Sequence, residues 1–125
     1  MVSSGTIELA PLARTSTLTL SAPGRKSGQP RSVTIWFVVV EDQLYVGSLR
    51  DDRNWIRNAR AAGSVGIKIG DAVLHGNFTA VREELEIGAV RTALRSKYLA
   101  ARIAGWFGVR QRFVFRIDAL ERPSS

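Results

Sequence analysis

The chain has 125 residues, no cysteine and one histidine, so it cannot build a disulfide framework, a thiol nucleophile, a Cys-ligated zinc site or a His-rich metal site. Eighteen Lys and Arg against eleven Asp and Glu give a net charge of +7, a balance that favours anionic partners. Lys26, Lys68 and Lys97 are the only lysines, and the planar fork of the many arginines suits phosphate and carboxylate.

This length and an ordinary globular composition predict one domain over residues 1–125, with loose tails at about 1–5 and 121–125. The first residues lack the basic-then-apolar pattern of a signal peptide, and the longest apolar run, Val33 to Val40, is too short to span a bilayer. The cytoplasm is the expected location.

In chain order, Thr15 to Leu20 alternates small polar and apolar residues and reads as a strand with one buried face. The glycines and prolines of Pro23-Gly24-Arg25-Lys26-Ser27-Gly28-Gln29-Pro30 mark a connection. Arg31 to Val40 is the strongest strand, β-branched and aromatic enough to be covered on both faces. Glu41-Asp42 turns the chain, and Gln43 to Ser48 returns as its partner. Asp51 or Asp52 can cap a helix in which Trp55, Ile56, Ala59 and Ala62 recur at helical spacing and which Gly63 ends. Ser64–Ile69 and Ala72–Val81 form a hairpin about Gly70-Asp71, and Gly76 signals a bulge or a close approach. A helix follows from Arg82 to about Arg102, with Leu85, Ala89, Leu94, Tyr98 and Ala101 as its apolar stripe and Ile87 and Val90 at the margin. Gly105-Trp106-Phe107-Gly108 breaks it, and Arg112 to Ile117 is the last strand. Hairpin-connected strands interrupted by two helices predict an antiparallel α+β domain whose six strands remove their edges by closing into a barrel.

Two segments carry candidate chemistry. In Gly24-Arg25-Lys26-Ser27-Gly28 the glycines let successive N–H groups converge on one anion. Arg25, Lys26 and Arg31 add charge there, and Ser27 adds a hydroxyl. An exposed, inert basic loop is the competing reading. The strand after it differs from a Walker A loop, which enters a helix. The second segment runs from Gly47 to Gly63: Ser48 and Arg50 end a strand, and Arg53, Asn54, Trp55, Arg57 and Asn58 open a helix whose N–H groups attract anions. For Trp55 a core anchor is the favoured reading. His75 is read as structural or surface, and Asp51-Asp52 as a cap rather than a cation site.

The string Gly24-Arg25-Lys26-Ser27-Gly28-Gln29-Pro30-Arg31, then Asp42-Gln43-Leu44-Tyr45-Val46-Gly47-Ser48, then Asn54-Trp55-Ile56-Arg57-Asn58-Ala59, resembles the deazaflavin (F420)-dependent nitroreductase family. That family belongs to the split β-barrel flavin and F420 oxidoreductases, which include the pyridoxamine 5′-phosphate oxidase-like proteins. The resemblance covers roughly Thr15 to Val81. It implies a six-stranded split barrel with two flanking helices, coenzyme F420 as cofactor and hydride transfer to a small organic substrate. Arg25, Lys26, Ser27, Gly28 and Arg31 would meet the cofactor's phosphate or acidic tail. Gly47, Ser48 and Arg50 would lie along the ring or polyol, and Asn54, Trp55 and Asn58 on the helix that closes the site. A homodimer is implied by the same resemblance.

Asn54 stands where the family commonly has proline before the Trp, and Ala62-Gly63 replaces its Asn-Pro helix end. These departures bear on substrate chemistry more than on fold, and flavin mononucleotide (FMN) stays open as the occupant. Tyr98 and Tyr45 are the candidate proton donors, against a favoured reading in which each packs in the core with its hydroxyl at the edge. Three function classes follow: a deazaflavin- or flavin-dependent oxidoreductase, a non-catalytic cofactor carrier, and a module for single-stranded nucleic acid. Burial of most aromatics in apolar runs weighs against the last. The basic helix Arg82–Arg102 with Trp106 and Phe107 also suits peripheral contact with a membrane surface, though covering a barrel mouth or a dimer face is favoured.

Overall fold

A computed structural model describes residues 9, 11–48, 52–100 and 113–122, the side chains of 98–100 and 119 excepted. Within it β1 (Thr17–Pro23), β2 (Pro30–Val40) and β3 (Gln43–Ser48) lead into α1 (Asn54–Ala62). The hairpin β4 (Ser64–Ile69) and β5 (Ala72–Ala80), helix α2 (Glu84–Ala100) and β6 (Phe113–Glu121) complete the order. The strands close in the order β1-β2-β3-β6-β5-β4, with β4 returning to β1 through Thr19↔Lys68, Leu20↔Ile67 and Ser21↔Gly66. Every pairing is antiparallel. Among the described residues the fold is an α+β split barrel of six strands and two helices, and closure gives every strand a neighbour on each side.

Alternation along the strands separates two cores. Leu18, Leu20, Phe37, Leu44, Val46, Ile67, Ile69, Leu74, Phe115 and Ile117 fill the barrel. Ile56 and Ala59 of α1 join them, so this helix closes part of the interior. Between these positions Val38, Tyr45 and Val114 point outward and are covered by Val90 and Leu94 of α2. β2 is therefore covered on both faces along 36–40, where its sequence is apolar throughout, whereas Arg31, Ser32 and Thr34 are exposed.

Both tight hairpins use two-residue loops. Glu41 and Asp42 adopt φ of 50° and 63° between Val40 and its partner Gln43. Positive φ at both central positions matches the right-handed twist of the strands, as in type I′ turns. At the second loop only Gly70 is positive, at φ 58°, the II′ pattern in which glycine comes first. Gly76 answers to both readings of its sequence context. The β5–β6 register shifts between His75 and Asn77, and a methyl at Gly76 would lie 2.7 Å from the Asp118 carbonyl oxygen. Gly76→Ala is expected to cost about 1–3 kcal/mol through overpacking against backbone, read as a lower urea midpoint with unchanged m.

Several expectations shift. The chain enters α1 through Arg53, whose φ of −65° and ψ of 145° are extended, so the helix starts after the Asp pair rather than being capped by it. Asp51 lies outside the described residues. On α2, Leu85 is 84% exposed and Ala89 is exposed, whereas Val90 and Leu94 are buried and Ile87 half-buried. The buried stripe thus runs 87–90–94, one step round the helix from the expected one. The last strand continues to Glu121, which pairs with His75, so the C-terminal tail starts later than 121. A 3-10 turn at Leu12–Arg14, unsignalled in the sequence, follows Leu9, whose side chain is buried in the barrel core. Arg112, the Gly105–Gly108 turn and residues 1–5 lie outside the described residues.

Candidate functional site

The β1–β2 connection is closed by its own backbone. Gly24 N–H donates to the Gln29 carbonyl at 2.8 Å, and Gly28 N–H donates to the Gly24 carbonyl at 2.8 Å. Gly28 sits at φ 73°, a conformation that glycine reaches without strain. The Ser27 hydroxyl oxygen accepts from Gln29 N–H at 3.1 Å. This compact loop is fastened to α1 through one residue. Arg25 donates from its backbone N–H and from Nη1 to the Asn58 Oδ1, at 3.1 and 2.8 Å, and from Nη2 to the Asn54 Oδ1 at 3.3 Å. Asn58 is 7% exposed, and its side-chain oxygen accepts from both of these donors.

Between loop and helix lies an open cleft of about 630 Å³. That volume suits a small organic ligand. Arg25, Lys26, Ser27 and Arg31 line one side, Arg53, Asn54, Trp55 and Asn58 of the α1 entry another, and Leu20, Ala22 and Val33 of the strands supply apolar wall. Among the described residues that line it, four are cationic and none is a carboxylate. The wider setting has the same sign: residues 9–40 and 53–70 hold eight basic and no acidic residues, while the rest holds ten basic and eleven acidic ones. Four of these eight, Arg25, Lys26, Arg31 and Arg53, line the cleft, where their charge raises the local concentration of anions. The first turn of α1 adds to this. It contains no acidic residue, and its N–H groups favour negative charge.

Of the sequence candidates, Arg25, Lys26, Ser27, Arg31, Asn54, Trp55 and Asn58 converge on this one cleft, with Gly28 in the loop behind it. Trp55 has two roles at once: it lines the cleft and packs edge-on against Phe78 and Phe115 at 6.1 and 6.2 Å between centroids. Gly47 and Ser48 lie at the end of β3, paired with Val114 and Phe113, and are not among the cleft-lining residues. Arg50 and the Tyr98 side chain lie outside the described residues. His75 is exposed on β5. Arg53 lines the cleft although the sequence marked it only as part of the helix opening.

Tyr45 lies elsewhere. Its hydroxyl donates to Glu86 of α2 at 2.6 Å, the same Glu86 oxygen accepts from Arg116 at 2.7 Å, and Arg116 Nε donates to Asp118 at 3.0 Å. Burial, then the adjacent Glu86 carboxylate, push the Tyr45 hydroxyl up to about 12, while the bond from Tyr45 holds Glu86 below its usual range. Because the folded-state value is raised above 10, the folded chain binds more protons than the unfolded one between about pH 10 and 12. Tyr45 therefore contributes stability that is full below pH 10 and lost as the pH rises through 12. Tyrosinate absorbance should show one hydroxyl titrating near 12 in the folded protein, and Tyr45→Phe should abolish that phase. On the same helix Lys97 donates to the Phe37 carbonyl at 2.9 Å with Nζ over the Phe37 ring, and burial pushes its ammonium down to about 8. Neither network was legible in the sequence, since each joins residues tens of positions apart.

Residues 8–109 match the sequence model of the family described as "Uncharacterized protein conserved in bacteria (DUF2255)". No curated protein matches the sequence significantly. Solved structures share the fold at low identity. A candidate 5-nitroimidazole antibiotic resistance protein of Bacteroides thetaiotaomicron superposes with a TM-score of 0.66 at 14% identity, over 85% of this chain and 74% of that one. An F420-H2 dependent reductase gives 0.59 at 18%, over 82% and 93%. An FAD-binding protein of Mesorhizobium loti gives 0.57 at 20%, over 85% and 82%. The shared feature is the split-barrel fold found among flavin- and deazaflavin-binding proteins. No described helix is long and apolar enough to cross a membrane.

Proposed function

The chain belongs to the DUF2255 family, and on that footing we propose that it is a split-barrel oxidoreductase that binds a phosphate-bearing flavin-type cofactor, coenzyme F420 before FMN, in the cleft between the 24–29 loop and α1. The observation that carries this reading is the convergence of Arg25, Lys26, Arg31 and Arg53 on one cleft whose described lining holds no carboxylate. The donor set fits the group. Guanidinium and ammonium donors, the Ser27 hydroxyl and the α1 entry suit a phosphate. Leu20, Ala22, Val33 and Trp55 suit a flat ring.

In this account Arg25, Lys26 and Arg31 hold the phosphate, and Arg53 adds charge from the helix side. Trp55 orients the ring and helps the apolar wall keep water from it. The bound cofactor supplies the hydride, and the protein supplies position and electrostatics. Through the resemblance the same proposal includes a small organic substrate accepted at a homodimer, with Gly47, Ser48 and Arg50 meeting ring or polyol beyond the described cleft lining, which lacks Gly47 and Ser48. Tyr45 is occupied by Glu86, so proton donation from this chain falls to Tyr98 or to water. Fluorescence titration of the purified protein with F420 and, separately, with FMN tests the reading. Saturable binding is expected, with the tighter ligand naming the cofactor. Folded protein that binds neither would overturn the redox reading.

A further inference from the structure

Arg25 is the hinge of the site, and its surroundings are unusual in one respect. Three hydrogen bonds fix it, all to amide oxygens: two to Asn58 and one to Asn54. No carboxylate among the described residues pairs with it. Both groups facing the Asn58 amide are donors, so the atom turned towards them is its oxygen. We propose that Asn58, supported by Asn54, is a positioning residue that sets the anion affinity of the cleft by holding Arg25 without cancelling its charge.

An aspartate at either position could accept the same bonds, and more strongly. It would also place a negative charge beside the guanidinium, screened weakly at Asn58 because that side chain is 7% exposed. The neutral amide provides geometry and leaves the charge available. Of the five N–H donors of a guanidinium, two are spent on the amides, and the remaining three are available to an anion. The backbone bond from Arg25 adds a second consequence: Asn58 sets the position of the whole 24–29 loop relative to α1.

This inference rests on the reading of the cleft as an anion site, and the experiment separates the two. Inorganic pyrophosphate is titrated into the full chain and into Asn58→Asp and Asn58→Ala, following amide shifts by NMR, with a thermal melt for each. Saturable binding by the parent and at least tenfold weaker binding by Asn58→Asp, whose melting temperature is equal or higher, is the expected result. Asn58→Ala should weaken binding and also lower the melting temperature. If Asn58 is merely structural, Asn58→Asp keeps its bonds and its affinity, which overturns this inference and leaves the anion site standing. A parent that binds no pyrophosphate overturns both. Should Asn58→Asp fail to fold, Asn54→Asp at the exposed position carries the same test, with the same tenfold loss expected and unchanged affinity overturning the inference.

Discussion

Replacing Lys26 by alanine is expected to weaken cofactor binding about tenfold while leaving the melting temperature unchanged, and replacing Arg25 to weaken it more and destabilise the fold as well. The difference follows from what each side chain touches. Lys26 lines the cleft and is exposed, so its removal takes away a charge-assisted contact and little else. Hydrogen bonds to charged groups are worth about 1.5–3 kcal/mol, roughly 10- to 150-fold in affinity. Arg25 also donates to the buried Asn58 Oδ1 from its side chain, and its loss leaves that oxygen short of a partner. The backbone N–H of residue 25 still reaches that oxygen, so the added penalty is about 0.5–1.5 kcal/mol of stability. Titrations with F420 and FMN, each paired with a melt, would show the split. Full affinity in the Arg25→Ala, Lys26→Ala double variant would remove the cleft from the account.

The largest effect on stability is expected at Phe115. This ring is 1% exposed, stacks on Phe78 at 4.8 Å between centroids and receives the edge of Trp55. Arg60 of α1 covers its face at 5.4 Å from the centroid. Phe115→Ala should cost about 3–5 kcal/mol, since the barrel wall around it is closed and cannot collapse into the space. Small domains hold a total of about 5–15 kcal/mol, so this variant is expected near its unfolding threshold at 37 °C. Urea denaturation followed by tryptophan emission measures it, and a loss under 1 kcal/mol would show that the cluster is looser than its geometry. The same change bears on the cleft, because Trp55 is common to both.

The 24–29 loop was readable from its residues because glycine and proline act locally: Gly28 at positive φ and Gly24 closing on Gln29 are what that spacing demands. Gly76 was readable for the same reason. The strands were readable because alternation is a period-two signal that the barrel preserves. What was not readable depends on partners distant in sequence. On α2, apolar residues lie on more than one side, and only the outward-facing Val38, Tyr45 and Val114 of the sheet decide that Val90 and Leu94 are covered while Leu85 is exposed. The helix start departs from the Asp pair for a related reason. Aspartate is a good cap by propensity, but the chain leaving β3 reaches helical geometry only after Arg53. At the cleft, the sequence put the lining residues into two segments. It did not disclose that Arg25 is the residue joining them, nor that Tyr45 is held away by Glu86.

The central claim is that a phosphate-bearing cofactor sits between the 24–29 loop and α1. Amide-shift mapping of the full chain titrated with F420 tests it most directly. The account predicts saturable shifts concentrated at Gly24, Ser27, Gly28, Asn54 and the Asn58 side-chain amide, weakened in Lys26→Ala. Shifts concentrated instead on the exposed faces of β5 and α2, at Val73, His75 and Leu85, with the loop and α1 unmoved, would contradict it.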